Sequence, residues 1–394
     1  MALNITQFTP GDKRRLKQFV QFPLKLYKND PNYVPQMKME LLGNKLLGVK
    51  GLLTKDHPFH KQADIHYFMV IKGKEVLGRL ACCINHRYNS YHNVKVGSFG
   101  FFEVIEDYGV AKQLLDQGVE WVRQMGMTEM MGPLNFSQDE TLGILIEGFE
   151  YFPYINTVYN KRYYQGFLER YGFTKAKDLI AQRMSVKLTE ETRKRHERLD
   201  RIVERIKRKK DITIRSLHLK DKKRFIEDVK LMKDIYNDAW AGNWGILPVT
   251  EEESLDASES LKLIADPGLV NFAYVKGKPA AMIINLPDVN EMTRSGNSFW
   301  GRSDYIKLLK IVFRRRKVKR VRLWALGILK EYQKIGLDAV LYHESFKYAQ
   351  QKGHYEECEI SWLLEDNVLV LRAGESMGAK QYKTWRIFKL PISS

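Results

Sequence analysis

One stretch of the sequence combines a predicted strand, a glycine-containing turn and a helix start, which together suit the binding of a phosphate group. Residues 321–329 are a short apolar run of the kind that forms a strand, and a polar turn follows over residues 330–336. A helical pattern then runs from residue 337 to about residue 351, and Gly353 stands where a left-handed cap is expected. Free backbone N–H groups and the positive end of the helix dipole meet at such a turn. The stretch therefore predicts an anion-binding turn, and an ordinary strand–turn–helix connection with one glycine is the competing interpretation.

The order of the elements after this turn resembles the C-terminal half of a GNAT-type acyl-CoA N-acyltransferase. A second strand, a short helix beyond Asn367 and a final strand follow the turn. The family's diphosphate loop reads Gln/Arg-x-x-Gly-x-Gly/Ala, and the sequence matches it at Gln333 and Gly336 but departs from it at Asp338. The resemblance implies acyl-CoA or acetyl-CoA as the donor substrate. It assigns donor binding to Leu326, Ile328, Gln333, Lys334, Ile335, Gly336, Leu337, Asp338, Ala339 and Asn367.

Three glutamates could act as the general base of amine acylation, which also requires a polarised thioester carbonyl and a proton for the departing thiolate. Glu103, Glu140 and Glu359 each lie in or beside a predicted central strand. An exposed or salt-bridged carboxylate is the competing interpretation for each of them. The resemblance implies that backbone N–H groups of residues 102–104 or 326–328 meet the carbonyl oxygen.

The family's usual tyrosine acid is missing from both halves of the sequence, because Leu168 and Gly374 occupy its positions. Tyr159, Tyr163 and Tyr164 are the candidate replacements, and they belong to an aromatic-rich insertion over residues 136–164. These aromatic residues form either ordinary core or the wall of a long apolar pocket. The substrate-pocket residues predicted from segments that carry the resemblance are Asn135, Tyr159 and Asn160.

Several local patterns occur twice in the chain, which predicts two tandem copies of one fold. Each copy has a hairpin that turns at a glycine, Gly73 in the first and Gly277 in the second, and each ends in a Glu-x-x-Gly motif. Five residues of the first copy superpose without gaps on five of the second: Ile5, Asp12, Arg15, Val20 and Tyr27 on Ile214, Asp221, Arg224, Val229 and Tyr236.

The repeat and the resemblance together predict an α/β protein of the α+β type with a mixed sheet and two tandem GNAT folds. The N-terminal unit covers residues 1–190, a basic linker helix covers 191–211, and the C-terminal unit covers 212–394. The diphosphate loop of the first unit is degenerate, because the family's pattern cannot be written around Gly109, and Glu106 and Asp107 would also repel a diphosphate. We therefore expect the donor to bind in the second unit.

The chain of 394 residues carries a formal net charge of +18, which favours an anionic partner such as the phosphates of CoA or an anionic membrane face. Its cations concentrate over residues 193–210 and 314–322. The sequence shows no apolar run of membrane-spanning length and no leader, and its three cysteines form no paired framework. We therefore expect a cytoplasmic protein, peripheral at the inner membrane face. His57 and His60 have no third ligand in view, so no metal site is predicted.

Over its whole length the chain resembles a branch of tandem GNAT proteins that includes the bacterial ceramide synthases, a likeness carried by residues 30–35, 100–103 and 132–135. The resemblance implies an N-acyltransferase. Its donor would be a fatty acyl-CoA or an acyl carrier protein thioester, and its acceptor a primary amine such as a sphingoid base. Two alternatives stay open: a GNAT acetyltransferase of a small amine, and a non-catalytic basic protein that binds lipid or nucleic acid. The strand–turn–helix at Gly336 argues against nucleic acid.

Overall fold

The structure of the chain, a computed structural model, describes residues 3–136, 140–187, 189–294 and 303–392. Its contacts define two compact units. The first comprises Met1–Ile180, Thr293–Lys307 and Lys383–Ser394, and the second comprises Ala181–Met292 and Leu308–Tyr382. Residues 137–139 of the predicted aromatic insertion lie outside the described residues. The domain boundaries at residues 190 and 212 are predicted for the two GNAT folds. They stay a prediction, because the compact units are defined by contacts and need not coincide with the folds.

The first unit is built on a mixed sheet. Its strands are β1 (Leu3–Phe8), β2 (Ala63–Lys72), β3 (Glu75–Asn85), β4 (Val96–Val104), β5 (Glu129–Gly132) and β6 (Ile144–Glu147), with the start of β7 (Thr174–Ser185) and most of β13 (Lys380–Pro391). Its helices are α1 (Lys13–Leu26), α2 (Lys38–Leu42), α3 (His86–His92), α4 (Tyr108–Gln124) and α5 (Tyr163–Tyr171). The strand order in this unit is β1-β2-β3-β4-β5-β13-β7, and β6 pairs with β13.

Helices cover both faces of this sheet because successive side chains of a strand point to opposite sides. Phe68 and Val70 of β2 pack in one core with α4, whereas the alternate residues Tyr67 and Met69 pack in another with α1. Helix α1 starts where the sequence predicts it, since the Asp12 side chain accepts a hydrogen bond from the backbone N–H of Arg15 at 3.0 Å.

The second unit also has a sheet of mixed strand directions. Its strands are β8 (Ile212–Ser216), β9 (Val270–Val275), β10 (Lys278–Pro287), β11 (Arg320–Ile328) and β12 (Glu357–Leu364), in the order β12-β11-β10-β9-β8. Its helices are α6 (Glu190–Lys210), α7 (Lys222–Trp240), α8 (Glu251–Ile264), α11 (Leu337–Lys352) and α12 (Val368–Ser376), with most of α9 (Asn290–Thr293) and α10 (Asp304–Arg314). The predicted α/β fold class with a mixed sheet is confirmed.

In each unit two parallel strands pair at one end and then separate. Strand β4 pairs with β5 only over residues 96–98 and 129–131, and β11 pairs with β12 only over residues 320–323 and 357–360. Both separating strands also carry a register shift against their antiparallel neighbour, between Arg79 and Ala81 in the first unit and between Ile284 and Asn285 in the second. A bulge of this kind bends a strand away from its partner. The gap leaves room for a ligand to approach backbone atoms.

The basic helix α6 packs against the second unit through its apolar stripe. Val203 on this stripe is fully buried, and Lys207 forms an ion pair with Glu344 of α11 at 2.9 Å. Among the helices of the described residues, none combines the length and the apolar character that a membrane crossing requires.

Candidate active site

The end of strand β4 brings Glu103 into a cluster of tyrosines in the first unit. The hydroxyls of Tyr27 and Tyr164 both donate to Glu103 Oε2, each at 2.7 Å. Among the described residues, Oε1 has no hydrogen-bond partner. The Glu103 side chain is half-buried, whereas both phenols are buried. Two donors therefore hold one oxygen in place and leave the other available to accept a proton.

Arg79 lies directly opposite Glu103 in the paired strands β3 and β4. Its side chain is buried, it donates from Nη1 to the Phe19 carbonyl oxygen at 2.8 Å, and its guanidinium lies 4.7 Å from the centre of the Phe19 ring. Its buried Nε has no hydrogen-bond partner among the described residues. Burial lowers the pKa of Arg79, and the charge of Glu103 opposes that shift. The cation is thus held beside the carboxylate by the sheet register.

The environment of this cluster shifts the protonation of its members. Burial raises the pKa of the Glu103 carboxyl above its usual range, although the Arg79 charge and the two phenol hydrogen bonds act in the opposite direction. Burial, assisted by the Glu103 charge, also raises the pKa of Tyr27 and of Tyr164, so both phenols keep their protons at neutral pH. A carboxylate with a raised pKa is a stronger base than an ordinary glutamate, and such groups concentrate at active sites.

A groove of about 830 Å³ opens beside this cluster in the first unit. Its lining includes Lys25, Lys28, Asp30, Phe149, Tyr159 and Lys161. Tyr159 donates to Asp30 Oδ1 at 3.0 Å, and Lys161 forms an ion pair with Asp30 Oδ2 at 3.1 Å. The Lys161 ammonium also lies 4.6 Å from the centre of the Tyr27 ring, so the groove wall is one side chain away from Glu103. Burial raises the pKa of Tyr159, and the Asp30 charge adds to the shift.

Two of the other predicted residues of the first unit, Asn135 and Asn160, accept hydrogen bonds from backbone N–H groups. Asn135 Oδ1 accepts a hydrogen bond from the Phe101 N–H at 2.7 Å, in a stretch where Phe101 has a φ of 49°. Asn160 is buried, and its Oδ1 accepts from the Leu145 N–H at 2.6 Å. Glu140 is half-buried in the loop after residues 137–139. Asn160 also lines the groove, so of the three predicted pocket residues Tyr159 and Asn160 lie together there.

The predicted diphosphate turn of the second unit has the local geometry that an anion requires. Helix α11 begins at Leu337, directly after Gly336, whose φ is 88°, and among the described residues no side chain caps this helix. Its first turn is Leu337, Asp338 and Ala339, whose N–H groups precede the first helical hydrogen bond, from Val340 to Gly336. Gln333 and Lys334 are exposed at the preceding turn. The turn therefore fits a phosphate group, although Asp338 places one negative charge within the first turn.

The corresponding turn of the first unit is already occupied by its own carboxylate. Asp107 caps helix α4 and accepts hydrogen bonds from the N–H groups of Gly109 at 2.7 Å and Val110 at 3.3 Å. A capping carboxylate satisfies the same N–H groups that a phosphate would use.

Glu359 belongs to a closed polar network in the second unit. It is fully buried, Oε1 accepts from the Ser361 hydroxyl at 2.5 Å, and Oε2 accepts from the Tyr382 hydroxyl. Arg322, also buried, lies 3.9 Å from Oε1, and burial lowers its pKa to about 10. Both carboxylate oxygens thus have donors and no contact with solvent. Glu359 belongs to the second unit, whereas Glu103 belongs to the first.

The remaining predicted donor residues lie along the second unit. Leu326 and Ile328 pair with Ile283 and Ala281 of β10, and Asn367 caps helix α12 through a hydrogen bond from the Val370 N–H at 3.4 Å. Ile335 is half-buried at the α11 turn. Within the described residues, no group of three or more His, Cys, Asp and Glu side chains could hold a metal ion.

An apolar cavity of about 430 Å³ lies within the second unit. Its lining includes Leu199, Ile202, Ile283, Leu323, Phe346 and Ile360. These residues come from α6, β10, β11, α11 and β12. Hydrocarbon is the ligand chemistry that such a lining favours.

The sequence named Tyr164 as a candidate acid but did not predict that Tyr27 and Tyr164 both donate to Glu103. The repeat aligned Tyr27 with Tyr236, but alignment alone did not show that Tyr27 contacts a strand end far along the sequence. Arg79 had a visible signal, because it is the one cation within the apolar run 76–84 and a buried charge needs a partner.

Comparisons with known proteins extend over the whole chain. No family model matches it. Protein YghO of Escherichia coli (strain K12) is 28% identical over 390 residues, which cover 97% of this chain and 94% of that protein. The bacterial ceramide synthase of Caulobacter vibrioides (strain NA1000 / CB15N) is 29% identical over 390 residues, which cover 97% of this chain and 95% of that protein.

Among solved structures, a tandem GNAT protein from the clavulanic acid biosynthesis pathway matches with a TM-score of 0.57 at 9% identity. The match covers 100% of this chain and 99% of that one. The predicted resemblance is confirmed: the protein has two tandem GNAT folds, and its sequence is similar along almost all its length to a bacterial ceramide synthase.

Proposed function

We propose that this protein is an N-acyltransferase that transfers an acyl group from acyl-CoA to a primary amine. The observation that carries the proposal is the Glu103 carboxylate, which has a raised pKa and two phenols on one oxygen. Its second oxygen has no hydrogen-bond partner among the described residues, and the groove wall is one side chain away. The tandem GNAT fold and the similarity to a bacterial ceramide synthase support the same activity.

In the proposed reaction the amine loses a proton to Glu103 Oε1, and its nitrogen attacks the thioester carbonyl carbon. The carbon–sulfur bond breaks, and the departing thiolate takes a proton. Tyr159 lines the groove and keeps its proton because burial raises its pKa, so it is the proposed proton donor. Tyr27 and Tyr164 hold the Glu103 side chain in one orientation, which favours proton transfer along one direction.

The uncapped turn at Gly336 supports CoA as the carrier of the donor, with the N–H groups of residues 337–339 as ligands of its diphosphate. The apolar cavity of the second unit supports a long acyl chain. A sphingoid base or another lipid amine is the proposed acceptor, by likeness to the ceramide synthase. An acyl carrier protein thioester is the alternative donor. The net charge of +18 supports enzymatic activity at an anionic membrane face.

The test is acyl transfer from palmitoyl-CoA to a sphingoid base, measured for the wild type, for Glu103→Gln and for Glu75→Gln as an exposed control. Loss of the base should lower turnover by about 10²–10⁴-fold in Glu103→Gln, while the control keeps its rate. Because the base must be ionised, the wild-type rate should fall as the pH drops through the raised pKa of Glu103. Wild-type turnover in the Glu103→Gln variant would contradict this assignment.

A small-amine acetyltransferase is the second candidate, and the polar lining of the groove favours it. Lys25, Lys28, Asn29 and Asn32 all face that space. Binding of palmitoyl-CoA and acetyl-CoA by calorimetry separates the two functions. Much tighter palmitoyl-CoA binding supports the lipid acyltransferase, whereas equal affinities support acetyl transfer to a small polar amine.

A further inference from the structure

Helix α10 directs an apolar face outward. Tyr305, Leu309, Val312 and Phe313 are 53%, 55%, 51% and 78% exposed. At 100° per residue these four positions fall within about 100° of one another around the helix axis, so they form one continuous stripe. Large apolar side chains grouped on an exposed face mark a surface that another phase or molecule covers.

The opposite face of α10 fixes its orientation. Ile311 is fully buried, and the ammonium of buried Lys307 donates to the Pro35 carbonyl oxygen at 2.9 Å. The helix therefore cannot turn its apolar stripe inward without breaking these contacts. In helix α6, by contrast, Val203 is fully buried, and Arg201, Arg205 and Arg208 are exposed.

Free cations follow directly on the exposed stripe. Arg314, Arg316 and Lys317 are exposed, and within the described residues none of them has an ion-pair partner. The rest of this basic run is paired. Lys319 binds Glu356 at 3.0 Å, Arg320 lies 3.3 Å from Asp288, and Arg322 is buried beside Glu359. The unpaired charge is thus confined to the part of the run that adjoins the apolar stripe.

We propose that α10 and residues 314–317 form a docking surface for an anionic lipid bilayer, with the apolar stripe entering the interface and the three cations meeting lipid phosphates. An outward apolar face flanked by unpaired cations is the arrangement that binds such an interface. Each cation near an anionic surface strengthens binding, so the complementarity of charge selects lipid over an uncharged partner. This surface deepens the proposed function, because it would bring an acyltransferase to a membrane-resident amine.

Co-sedimentation of the full chain with vesicles of phosphatidylcholine, with and without phosphatidylglycerol, tests the proposal. The charge variant Arg314→Gln/Arg316→Gln/Lys317→Gln should bind anionic vesicles roughly 100-fold more weakly. Its control is Arg205→Gln/Arg208→Gln/Lys209→Gln, which removes the same charge from exposed positions of α6. The apolar variant Leu309→Ser/Phe313→Ser should lose about tenfold or more. Val368→Ser/Leu369→Ser, which also removes exposed apolar residues, is its control.

Equal loss of vesicle binding in the test and control variants, or no loss of vesicle binding in either, would overturn the proposal. Lipid-independent self-association that Phe313→Ser abolishes would also overturn it, since the stripe would then be an interface between copies of the chain. Binding is measured without substrate, and Glu103→Gln must bind vesicles like the wild type. A failed docking surface and a failed acyltransferase assignment therefore give different results.

Discussion

In the first unit, strand β4 ends at a glutamate held by two phenols, and the helix that follows is capped by Asp107. In the second unit, β11 carries Gly327 at the corresponding place, and the helix that follows starts directly after Gly336 without a side-chain cap in the described residues. The correspondence rests on strand register. In the first unit Gly78 of β3 pairs with Val104 of β4, and in the second unit Ala281 of β10 pairs with Ile328 of β11. Glu103 and Arg79 thus correspond to Gly327 and Met282.

The two copies of the fold differ at corresponding places. A Cβ atom on Gly327 would lie 2.6 Å from the Trp240 ring, so the second unit has no room for a glutamate there. The Asp107 cap in turn satisfies N–H groups that a diphosphate needs in the first unit. The first unit therefore has a carboxylate held by two phenols, and the second has a helix start at which no side chain of the described residues forms a cap.

The largest expected effect concerns the anion-binding turn. Gly336→Val should weaken palmitoyl-CoA binding by about 10–100-fold, because valine cannot adopt the left-handed φ without strain and the turn would reorganise. Gly353→Val at the other end of α11 is the control for backbone strain, since Gly353 has a φ of 71° and an added Cβ meets nothing within 4 Å, whereas at Gly336 it would lie 3.0 Å from Ile206 of α6. Calorimetry measures both. Unchanged affinity in Gly336→Val would place the diphosphate elsewhere.

The second effect concerns the neighbours Arg79 and Glu103. It is tested by replacing Arg79 with methionine, the residue type at the corresponding position, Met282, of the second unit. Arg79→Met should lower the free energy of unfolding by about 1–3 kcal/mol, because half-buried Glu103 loses its neighbouring cation. The Arg79 charge lowers the pKa of Glu103, so its removal raises that pKa further. The loss of unfolding free energy should therefore grow as the pH rises through the pKa of Glu103, because above that pKa the folded variant holds an ionised Glu103 without its neighbouring cation. Urea denaturation at two pH values checks this against the exposed control Lys74→Met, and a pH-independent deficit would contradict it.

The smallest effect concerns Asp107, which caps the turn of the first unit that corresponds to the Gly336 turn of the second unit. Asp107→Ala should cost about 1 kcal/mol of unfolding free energy, because two N–H groups of α4 lose their acceptor. The exposed Asp56→Ala serves as a control in the same denaturation experiment. A gain of palmitoyl-CoA binding in a Gly336→Val/Asp107→Ala double variant would show that the cap alone distinguishes the two turns.

The sequence was most informative where chemistry depends on neighbours in the chain. Gly336 and the turn before it follow from a local pattern of strand, glycine and helix, and the structure has the same elements there. Glu103 was recognisable as a carboxylate at a strand end. Its partners Tyr27 and Tyr164 lie 76 and 61 residues away, and no local pattern encodes such a contact. The pairing of β13 with β5 and β6 was likewise beyond prediction, because an apolar run identifies a strand but not its neighbour.

The place of β13 in the first unit affects how the chain is made. Trp385 is fully buried there and donates from Nε1 to the Val158 carbonyl oxygen at 2.9 Å, and Arg386 binds both oxygens of Asp178. A ribosome that adds about 5–20 residues per second needs roughly 10–40 s to pass from residue 180 to residue 383. During that interval the edges of β5 and β6 lack their strand partner and can pair with other chains. Nascent protein should therefore depend on chaperones until the first unit is complete.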